Sequence, residues 1–371
     1  MSKTLQDYAT LINDTIQSNE INHYITTDNM CQNLGGIDTF KNINIPQGKV
    51  RSFQKDDILL SNIRLYFRKV YRAKQKGGCS SDVLVFRAKH IDSATLFAIL
   101  SSQIFTDYAC SGSQGSKMPR GNKTHMMDFK IPTINFTIAK IFNSIQNKIE
   151  NNHKINELLH KILELLYEQY FVRFDFLDEN NKPYQTSGGK MKFSKELNRL
   201  IPNDFEVKTL GELTQLKVGN KNANHSSNQG KYSFFTCSNN PLRCETYQFE
   251  GKHIIISGNG NFHVTHYDGK FDAYQRTYVV NPNNPNHYVL IYLFVKSYTN
   301  YLKLQSRGSI IKFITKSDIE NIKIVLPNLK TYTKWNNVLK MIENNNQSTQ
   351  TLTALRDFLL PLLLKQQVKP Q

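Results

Sequence analysis

The chain has 371 residues, of which 39% are hydrophobic and 11% aromatic, enough for two globular domains with their own cores and too apolar for a disordered protein. Its 47 basic residues outnumber its 30 acidic ones, and the net charge of +17 favours a polyanionic partner such as nucleic acid. A lysine-rich solvated surface would give the same excess without such a partner.

The apolar runs are too short to cross a membrane, since residues 254–256 and 362–364 are among the longest. The first eighteen residues are largely polar and include Asp7 and Asp14, unlike a signal peptide. We therefore expect a cytoplasmic protein.

The cysteines are odd in number, scattered, and include no CxxC pair: Cys31, Cys79, Cys110, Cys237 and Cys244. This usage argues against a disulfide scaffold and against a zinc ribbon. His263 and His266 follow Cys244, but their spacing fits no compact ligand set. We expect free thiols and no metal.

In chain order, short β-like runs alternate with turns up to about residue 130. Residues 57–61 and 82–87 have the composition of strands, residues 92–108 have a helical period, and residues 111–123 form a glycine-rich basic loop. A long helix is predicted from about residue 137 to 171, followed by a linker-like polar stretch over 173–203. The second half starts near Val207, and a second long helix ends near Leu360.

The second half repeats landmarks of the first in the same order. Residues 4–8 match 209–213, 57–61 match 253–257, 83–86 match 277–280, 112–116 match 305–309, and 129–132 match 324–327. The long helix also recurs, 193 residues later. A repeat of this length indicates a chain built from two similar halves.

The two long helices carry apolar residues at steps of three and four, the spacing of a seam between packed helices. The predicted seam residues are Phe142, Ile145, Ile149, Asn152, Leu159, Ile162 and Leu166 in the first helix and Trp335, Val338, Ile342, Asn345, Leu352, Leu355 and Leu359 in the second. The asparagines would fix the register of the pair if buried; at the rim they would simply be solvated.

Catalytic motifs are missing. The chain has no Pro-Pro pair and therefore no (D/N/S)PP(Y/F) loop of an amino-methyltransferase, and it has neither a GxGxxG nor a P-loop motif. Glu206 and Lys208 form an ExK triplet like half of a nuclease metal site, which leaves a stand-alone nuclease as a minor alternative. We expect no catalytic residue.

Polar, basic and aromatic residues cluster at corresponding places in both halves. Arginine can read guanine and asparagine adenine, while lysine mainly holds phosphates. The candidate DNA-binding residues are Asn62, Arg64, Tyr66, Arg68, Lys69, Lys117, Arg120, Asn122 and Lys123 in the first half and Asn259, Asn261, His263, Tyr274, Arg276, Arg307 and Lys312 in the second. Any one of them could be an ordinary surface residue, but the paired clusters favour DNA contact.

The same segments resemble a known family. DILLSNIRLYF, GGCSSDVLVFR and GSKMPRGNK resemble one type of target-recognition domain, and IISGNGNF with YDGKFDAYQRTYVV resembles another. FVRFDF, SGGKM and LRDFLLPLLLKQQV resemble spacer segments. Over almost its whole length the sequence resembles the specificity (S) subunits of type I restriction–modification enzymes.

The resemblance implies an α+β protein with a pseudo-twofold internal repeat, in which two long antiparallel helices, forming a coiled coil, separate two mixed α/β target-recognition domains. The expected boundaries are 1–133 for the first domain, 134–172 for the central spacer helix, 173–206 for a linker, 207–327 for the second domain and 328–371 for the C-terminal spacer helix.

The resemblance also implies a function. Such a subunit binds a bipartite site on double-stranded DNA and docks two methyltransferase subunits, through which restriction and motor subunits join. It has no catalytic residue and no cofactor, because S-adenosylmethionine, ATP and magnesium belong to its partners. The alternatives are a recognition subunit of another restriction class with a fused nuclease–methylase partner, and a purely structural helical adaptor.

Overall fold

The computed structural model describes residues 3–38, 43–131, 134–227, 229–309, 311–327 and 333–364, with the backbone alone at 333 and 334. The chain divides into two compact units: unit 1 is Met1–Ile155 with Asn344–Gln371, and unit 2 is Asn156–Glu343. All five cysteines are free, as expected. Among the described helices, none combines the length and apolar content that crossing a bilayer requires.

The α-helices are α1 (Leu5–Tyr8), α2 (Ser93–Leu100), α3 (Gln103–Ser111), α4 (Lys123–Met127), α5 (Phe136–Tyr167), α6 (Leu210–Leu213), α7 (Tyr288–Ser297), α8 (Thr299–Gln305), α9 (Lys316–Glu320) and α10 (Thr333–Leu359). The strands in the first half are β1 (Ala9–Ile12), β2 (Thr15–Gln17), β3 (Tyr24–Ile25), β4 (Lys49–Phe53), β5 (Ile58–Ser61), β6 (Val70–Arg72), β7 (Gly77–Cys79) and β8 (Val83–Ala88). Those in the second half are β9 (Met191–Ser194), β10 (Arg199–Pro202), β11 (Glu206–Thr209), β12 (Thr214–Val218), β13 (Tyr232–Phe235), β14 (Leu242–Cys244), β15 (Phe249–Ser257), β16 (Val264–Ala273), β17 (Thr277–Pro282) and β18 (Lys323–Leu326).

Unit 1 contains two four-stranded sheets, β1-β8-β5-β6 and β2-β4-β7-β3. Successive side chains of a strand point to opposite faces. Ile58 and Leu60 accordingly pack in the core with α2 and α3, whereas Leu59, between them, packs in the core formed with the second sheet. This two-sided burial explains the continuous apolar run at 58–60.

Unit 2 is organised around one six-stranded sheet in the order β12-β17-β15-β16-β13-β14. Ile254 and Ile256 of β15 face the larger core with α7, and Ile255 faces a smaller core that includes Phe249 and Phe271. Both units thus contain a central strand that is buried on both faces.

The predicted repeat is present in the strand pairing. Ser61 pairs with Val83 in unit 1, and Ser257 pairs with Thr277 in unit 2, as the matched segments require. Thr4 with Asp7 and Thr209 with Glu212 each form a capping box at the start of a short helix.

One predicted correspondence is wrong by two residues. The amide of Leu5 donates to Phe129 O at 2.8 Å, and that of Leu210 donates to Ile322 O at 2.8 Å. Phe129 therefore corresponds to Ile322 rather than to Ile324. The sequence match was anchored on Pro132, which lies outside the described residues, and on Pro327, whereas hydrogen bonding sets the actual register.

The long helices run antiparallel within each unit. In unit 1, Arg356 contacts Gln146, and Asn152 donates to Thr349 Oγ1 at 3.1 Å. In unit 2, Asn156 donates to Ile342 O at 3.3 Å, and the ring of Phe171 lies 5.6 Å from that of Trp335. Helix α5 ends in one π-helical turn, Glu168–Val172.

Two predicted seam residues do not lie in the seam. Ile162 and Leu355 are 46% and 45% exposed, and their neighbours Leu163 and Arg356 are buried instead. A helix of 3.6 residues per turn drifts from a strict 3.5 repeat, so a step of four replaces a step of three at each point.

The other seam residues are at least partly buried. Phe142, Ile145, Ile149, Asn152, Trp335 and Ile342 are buried, while Leu159, Leu166, Val338, Asn345, Leu352 and Leu359 are half-buried. Asn152, only 1% exposed, is therefore interior rather than at the rim.

Part of the predicted linker is folded. The hairpin of β9 and β10 lies within it, and Phe174, Ile201 and Phe205 belong to the core of unit 2. The turn-forming residues around 178–189 gave the stretch a linker-like composition, although apolar residues on either side are buried.

Candidate nucleic-acid interface

In unit 1, two loops that are distant in sequence pair with each other. The loop after β5 and the loop between α3 and α4 are joined by a β-bridge between Ile63 and Arg120, and a second bridge, between Gln114 and Arg120, closes the latter loop on itself. The amide of Gly121 donates to Asn62 O at 3.1 Å. A Cβ on Gly121 would lie 2.1 Å from Met126 Cε, so a larger residue here would have to displace the end of that side chain.

We define loop face 1 as residues 61–69, 80–82 and 112–123. It brings together all nine candidate residues of the first half, and it contains six basic residues and one acidic residue, Asp82. Tyr66, Lys117 and Lys123 are exposed on it. Arg120 is also exposed, at 60% of its side chain, and forms a 2.8 Å ion pair with Asp82.

Several candidates on loop face 1 are used inside the fold. Arg68 donates to Ser101 O at 2.9 Å, and burial lowers the pKa of its guanidinium. Lys69 donates to Thr27 O at 2.5 Å. The side chain of Asn122 caps α4. These residues hold the loops in place.

Asn62 and Arg64 lie at the base of the same face. Asn62 is 9% exposed, and its buried Oδ1 has no hydrogen-bond partner within the described part of the chain. Arg64 has a left-handed backbone with φ of 50°, and its guanidinium lies within 3.4 Å of Lys117 O. Arg64 therefore links the two loops that form the face.

Unit 2 contains the same loop pair. The loop after β15 and the loop between α8 and α9 are joined by a β-bridge between Asn259 and Phe313, and a second bridge, between Arg307 and Phe313, lies within the latter loop. These positions are the repeat equivalents of Arg120, Ile63 and Gln114. The amide of Gly260 donates to Lys312 O at 2.9 Å.

Three more segments join this surface. The amide of Gly258 donates to Arg276 O at 2.7 Å, and that of Gln275 donates to Lys221 O at 2.9 Å. The amide of Tyr274 donates to Phe235 O at 2.9 Å at the end of β13. We define loop face 2 as residues 219–222, 236–240, 258–263, 274–276, 307–309 and 311–313.

Loop face 2 contains four basic residues, no acidic residue and six asparagines within these ranges. It brings together all seven candidates of the second half. Asn261, Arg276 and Lys312 are exposed, and Arg307 is 63% exposed beside Asp318 at 3.0 Å. The residues that sequence reasoning missed are Asn220, Lys221, Asn222, Asn239 and Asn240, for which the density of asparagine in two short turns was the available signal.

The remaining candidates of loop face 2 are half-buried: Asn259, His263 and Tyr274. Burial lowers the pKa of His263, which favours a neutral imidazole. The Oδ1 atom of Asn259 is buried and, like Oδ1 of Asn62 on loop face 1, accepts no hydrogen bond from any described residue.

The family model of the type I restriction modification DNA specificity domain matches residues 202–355. The chain is 36% identical over 132 residues to the type I restriction enzyme EcoDI specificity subunit of Escherichia coli. It is 24% identical over 301 residues to the MjaIX specificity subunit of Methanocaldococcus jannaschii.

This chain is similar to type I specificity subunits.

The matches differ in coverage. The alignment with the EcoDI subunit covers 34% of this chain and 28% of that protein, and the alignment with the MjaIX subunit covers 72% and 67%. The crystal structure of the type I S subunit from M. genitalium has the same fold, with a TM-score of 0.62 at 16% identity over 99% of this chain and 96% of that one. The predicted family resemblance and fold class are both confirmed.

The ExK triplet is the sequence feature that suggested a nuclease site. Glu206 and Lys208 lie on β11 with their charged atoms 4.0 Å apart, and both side chains are well exposed. In the described part of the chain, no group of three potential metal ligands includes Glu206.

Proposed function

We propose that this chain is the sequence-specificity subunit of a type I restriction–modification complex and reads a bipartite site on double-stranded DNA, one part with each loop face. The observation that carries the proposal is the duplicated loop pair, built from equivalent backbone bridges in both units and basic in both. Two similar surfaces with different side chains suit two different half-sites.

The exposed residues divide by chemistry. Lys117, Lys123 and Lys312 are suited to phosphates, which supply salt-dependent affinity without sequence preference. Arg120, Arg276 and the exposed asparagines have the donors and acceptors that distinguish base edges in the major groove. The ion pair of Arg120 with Asp82 positions its guanidinium before DNA arrives.

The partners we propose are two methyltransferase subunits, which bind the helices, and restriction and motor subunits, which join through them. Within unit 2, Leu158, Ile162 and Leu165 lie on one side of α5 and are 58%, 46% and 55% exposed. An apolar stripe of this kind on a soluble protein is typical of a protein-binding surface. S-adenosylmethionine, ATP and magnesium would bind to these partner subunits, and the complex would work in the cytoplasm. This chain would contribute no catalytic residue.

The decisive experiment is to map methylated adenines in DNA from cells that express this chain with its methyltransferase. We expect a single methylated motif that consists of two short specific sequences separated by a non-specific spacer. An uninterrupted motif, or methylation that does not depend on this chain, would contradict the proposal.

Co-purification tests the alternative class. A separate motor protein among the partners is expected for a type I system, whereas one fused nuclease–methylase would indicate the other restriction class. Cleavage of DNA by the isolated chain with magnesium would instead support the stand-alone nuclease.

A further inference from the structure

Unit 2 contains a compact group of potential metal ligands outside loop face 2. The ligand atoms of His225, Cys244 and Asp272 all lie within 4.8 Å of one another. Cys244 and Asp272 are fully buried, and the side chain of His225 is 23% exposed. The three residues come from a 3₁₀ turn (Ala223–His225), the edge strand β14 and the interior strand β16.

The carboxylate of Asp272 is incompletely satisfied. Its Oδ2 accepts a hydrogen bond from Thr246 Oγ1 at 2.7 Å and lies 3.0 Å from His225 Nε2. Its Oδ1 is buried and has no hydrogen-bond partner among the residues that the structure describes. No lysine or arginine of the described chain forms an ion pair with it, and an uncompensated buried charge is costly.

We propose that His225, Cys244 and Asp272 bind a zinc ion. Zinc accepts a thiolate, an imidazole and a carboxylate together, at about 2.3, 2.0 and 2.0–2.2 Å, so three ligand atoms less than 5 Å apart can close on one ion. Calcium and magnesium prefer all-oxygen sites and do not suit the thiol. A water molecule can take the fourth position.

Metal binding requires one proton to leave. The thiol of Cys244 now donates to Thr246 O at 3.2 Å, and zinc would take the thiolate while that proton is released to solvent. The ion would also supply positive charge to Asp272, which lacks a fixed cationic partner.

The site would order part of loop face 2. His225 lies three residues after Asn222. The chain just before Asn222 is bonded to the sheet region through Gly219, which donates to Thr277 O, and Lys221, which donates to Ala273 O, whereas among the backbone hydrogen bonds of the described residues none joins 222–225 to the sheet. Zinc would join this segment to β14 and β16. Only this consequence for DNA binding rests on the proposed function; the metal site does not.

The test uses the full-length chain, purified, loaded with zinc and dialysed. We expect one zinc per chain by elemental analysis, an intense charge-transfer absorption when cobalt replaces zinc, and a melting temperature that chelator lowers. Cys244→Ser and His225→Ala should abolish stoichiometric binding. Cys79→Ser is the matched control, because it removes a buried strand thiol from unit 1 and should keep the zinc.

Three results would overturn the proposal: substoichiometric zinc in the unsubstituted chain, no cobalt–thiolate absorption, or unchanged zinc content in both variants. The first two need no variant, so they hold even if Cys244→Ser fails to fold. In those cases the group is a hydrogen-bonded network only. All three readouts are made without DNA and therefore separate this proposal from the proposed function.

Discussion

At the residue scale, the basic candidates fall into two groups that composition could not separate. Lys117, Lys123 and Arg120 are exposed on loop face 1. Arg68 and Lys69 donate instead to backbone carbonyls inside unit 1. A basic side chain that donates to a backbone carbonyl is not available to DNA, and only the folded structure shows which side chains do so.

The exposed group predicts distinct binding defects. Lys117→Ala or Lys123→Ala should weaken DNA binding evenly across sequences and reduce the salt slope by about one unit, because each removes one phosphate contact. Arg120→Ala should cost about 1–3 kcal/mol and relax specificity in one half-site. Titrations of target and scrambled DNA at several salt concentrations would measure both effects; three variants that bind as the unsubstituted chain does would rule out loop face 1.

Asn122 predicts a defect of stability. Its Oδ1 accepts from His125 N at 3.1 Å at the start of α4, and Asn122→Ala should lower the free energy of unfolding by about 0.5–2 kcal/mol. Asn122→Asp is the control, because it keeps the cap while its negative charge should weaken DNA binding. Denaturant unfolding distinguishes the two, and equal stability of both variants would show that the cap is unimportant.

His266 predicts how stability depends on pH. Burial, then His160, Lys252 and Lys296, lower the pKa of His266 to about 3, and Glu343 Oε1 lies 3.8 Å from its Nδ1 without offsetting this. The unfolded chain therefore binds a proton below about pH 6.5 that the folded chain does not bind until about pH 3. Burial of neutral His266 therefore costs no stability above about pH 6.5, and the free energy of unfolding decreases as the pH falls from about 6.5 towards 3.

The measurement is urea unfolding at several pH values between about 7 and 5. The unsubstituted chain should lose stability over this range, at up to about 1.4 kcal/mol per pH unit for one proton. His266→Gln should show a shallower slope, whereas an identical slope would mean that other histidines, such as the half-buried His160, account for the loss.

At the scale of elements, the paired helices combine an apolar seam with buried polar residues. Within unit 1, Arg356 is 2% exposed and donates to Asn33 O and Gln146 Oε1, both at 3.3 Å. Gln146 in turn donates to Leu34 O at 2.6 Å. This network attaches the helices to a loop of unit 1, which an apolar pattern alone does not reveal.

Two adjacent residues of α10 test this arrangement. Arg356→Ala should lower the free energy of unfolding by about 2–4 kcal/mol, because it removes charged hydrogen bonds and buried packing. Leu355→Ala should cost less than about 1 kcal/mol, since Leu355 is 45% exposed. Thermal or denaturant unfolding compares the two variants. A larger loss of stability for Leu355→Ala than for Arg356→Ala would show that Leu355 lies in the seam, as the sequence predicted.

At the scale of the whole molecule, the chain is an internal repeat of two similar units, with equivalent β-bridges at Arg120 and Phe313. The side chains of the two loop faces differ, six basic residues in one and six asparagines in the other. If each face reads its own half-site, the two specificities should be separable.

A domain exchange tests this separation. Replacing residues 1–130 with the equivalent segment of a related subunit should change one half of the methylated motif and leave the other unchanged. Sequencing of methylated adenines reads the result directly, with the reciprocal exchange of unit 2 as the control. A change in both halves would contradict independent reading.

The sequence by itself determined the repeat, the two long helices, the family resemblance and the positions of both loop pairs, because periodicity, turn residues and matched segments are local properties of the chain. Tertiary structure decided which candidates are exposed. In the sequence Arg68 and Lys117 are equally plausible DNA contacts, but in the fold the Arg68 guanidinium donates to Ser101 O at 2.9 Å. It also decided the seam at Leu163 and Arg356, where helical drift accumulates over many turns. It alone brought His225, Cys244 and Asp272 together, because strand pairing joins residues that no spacing pattern relates.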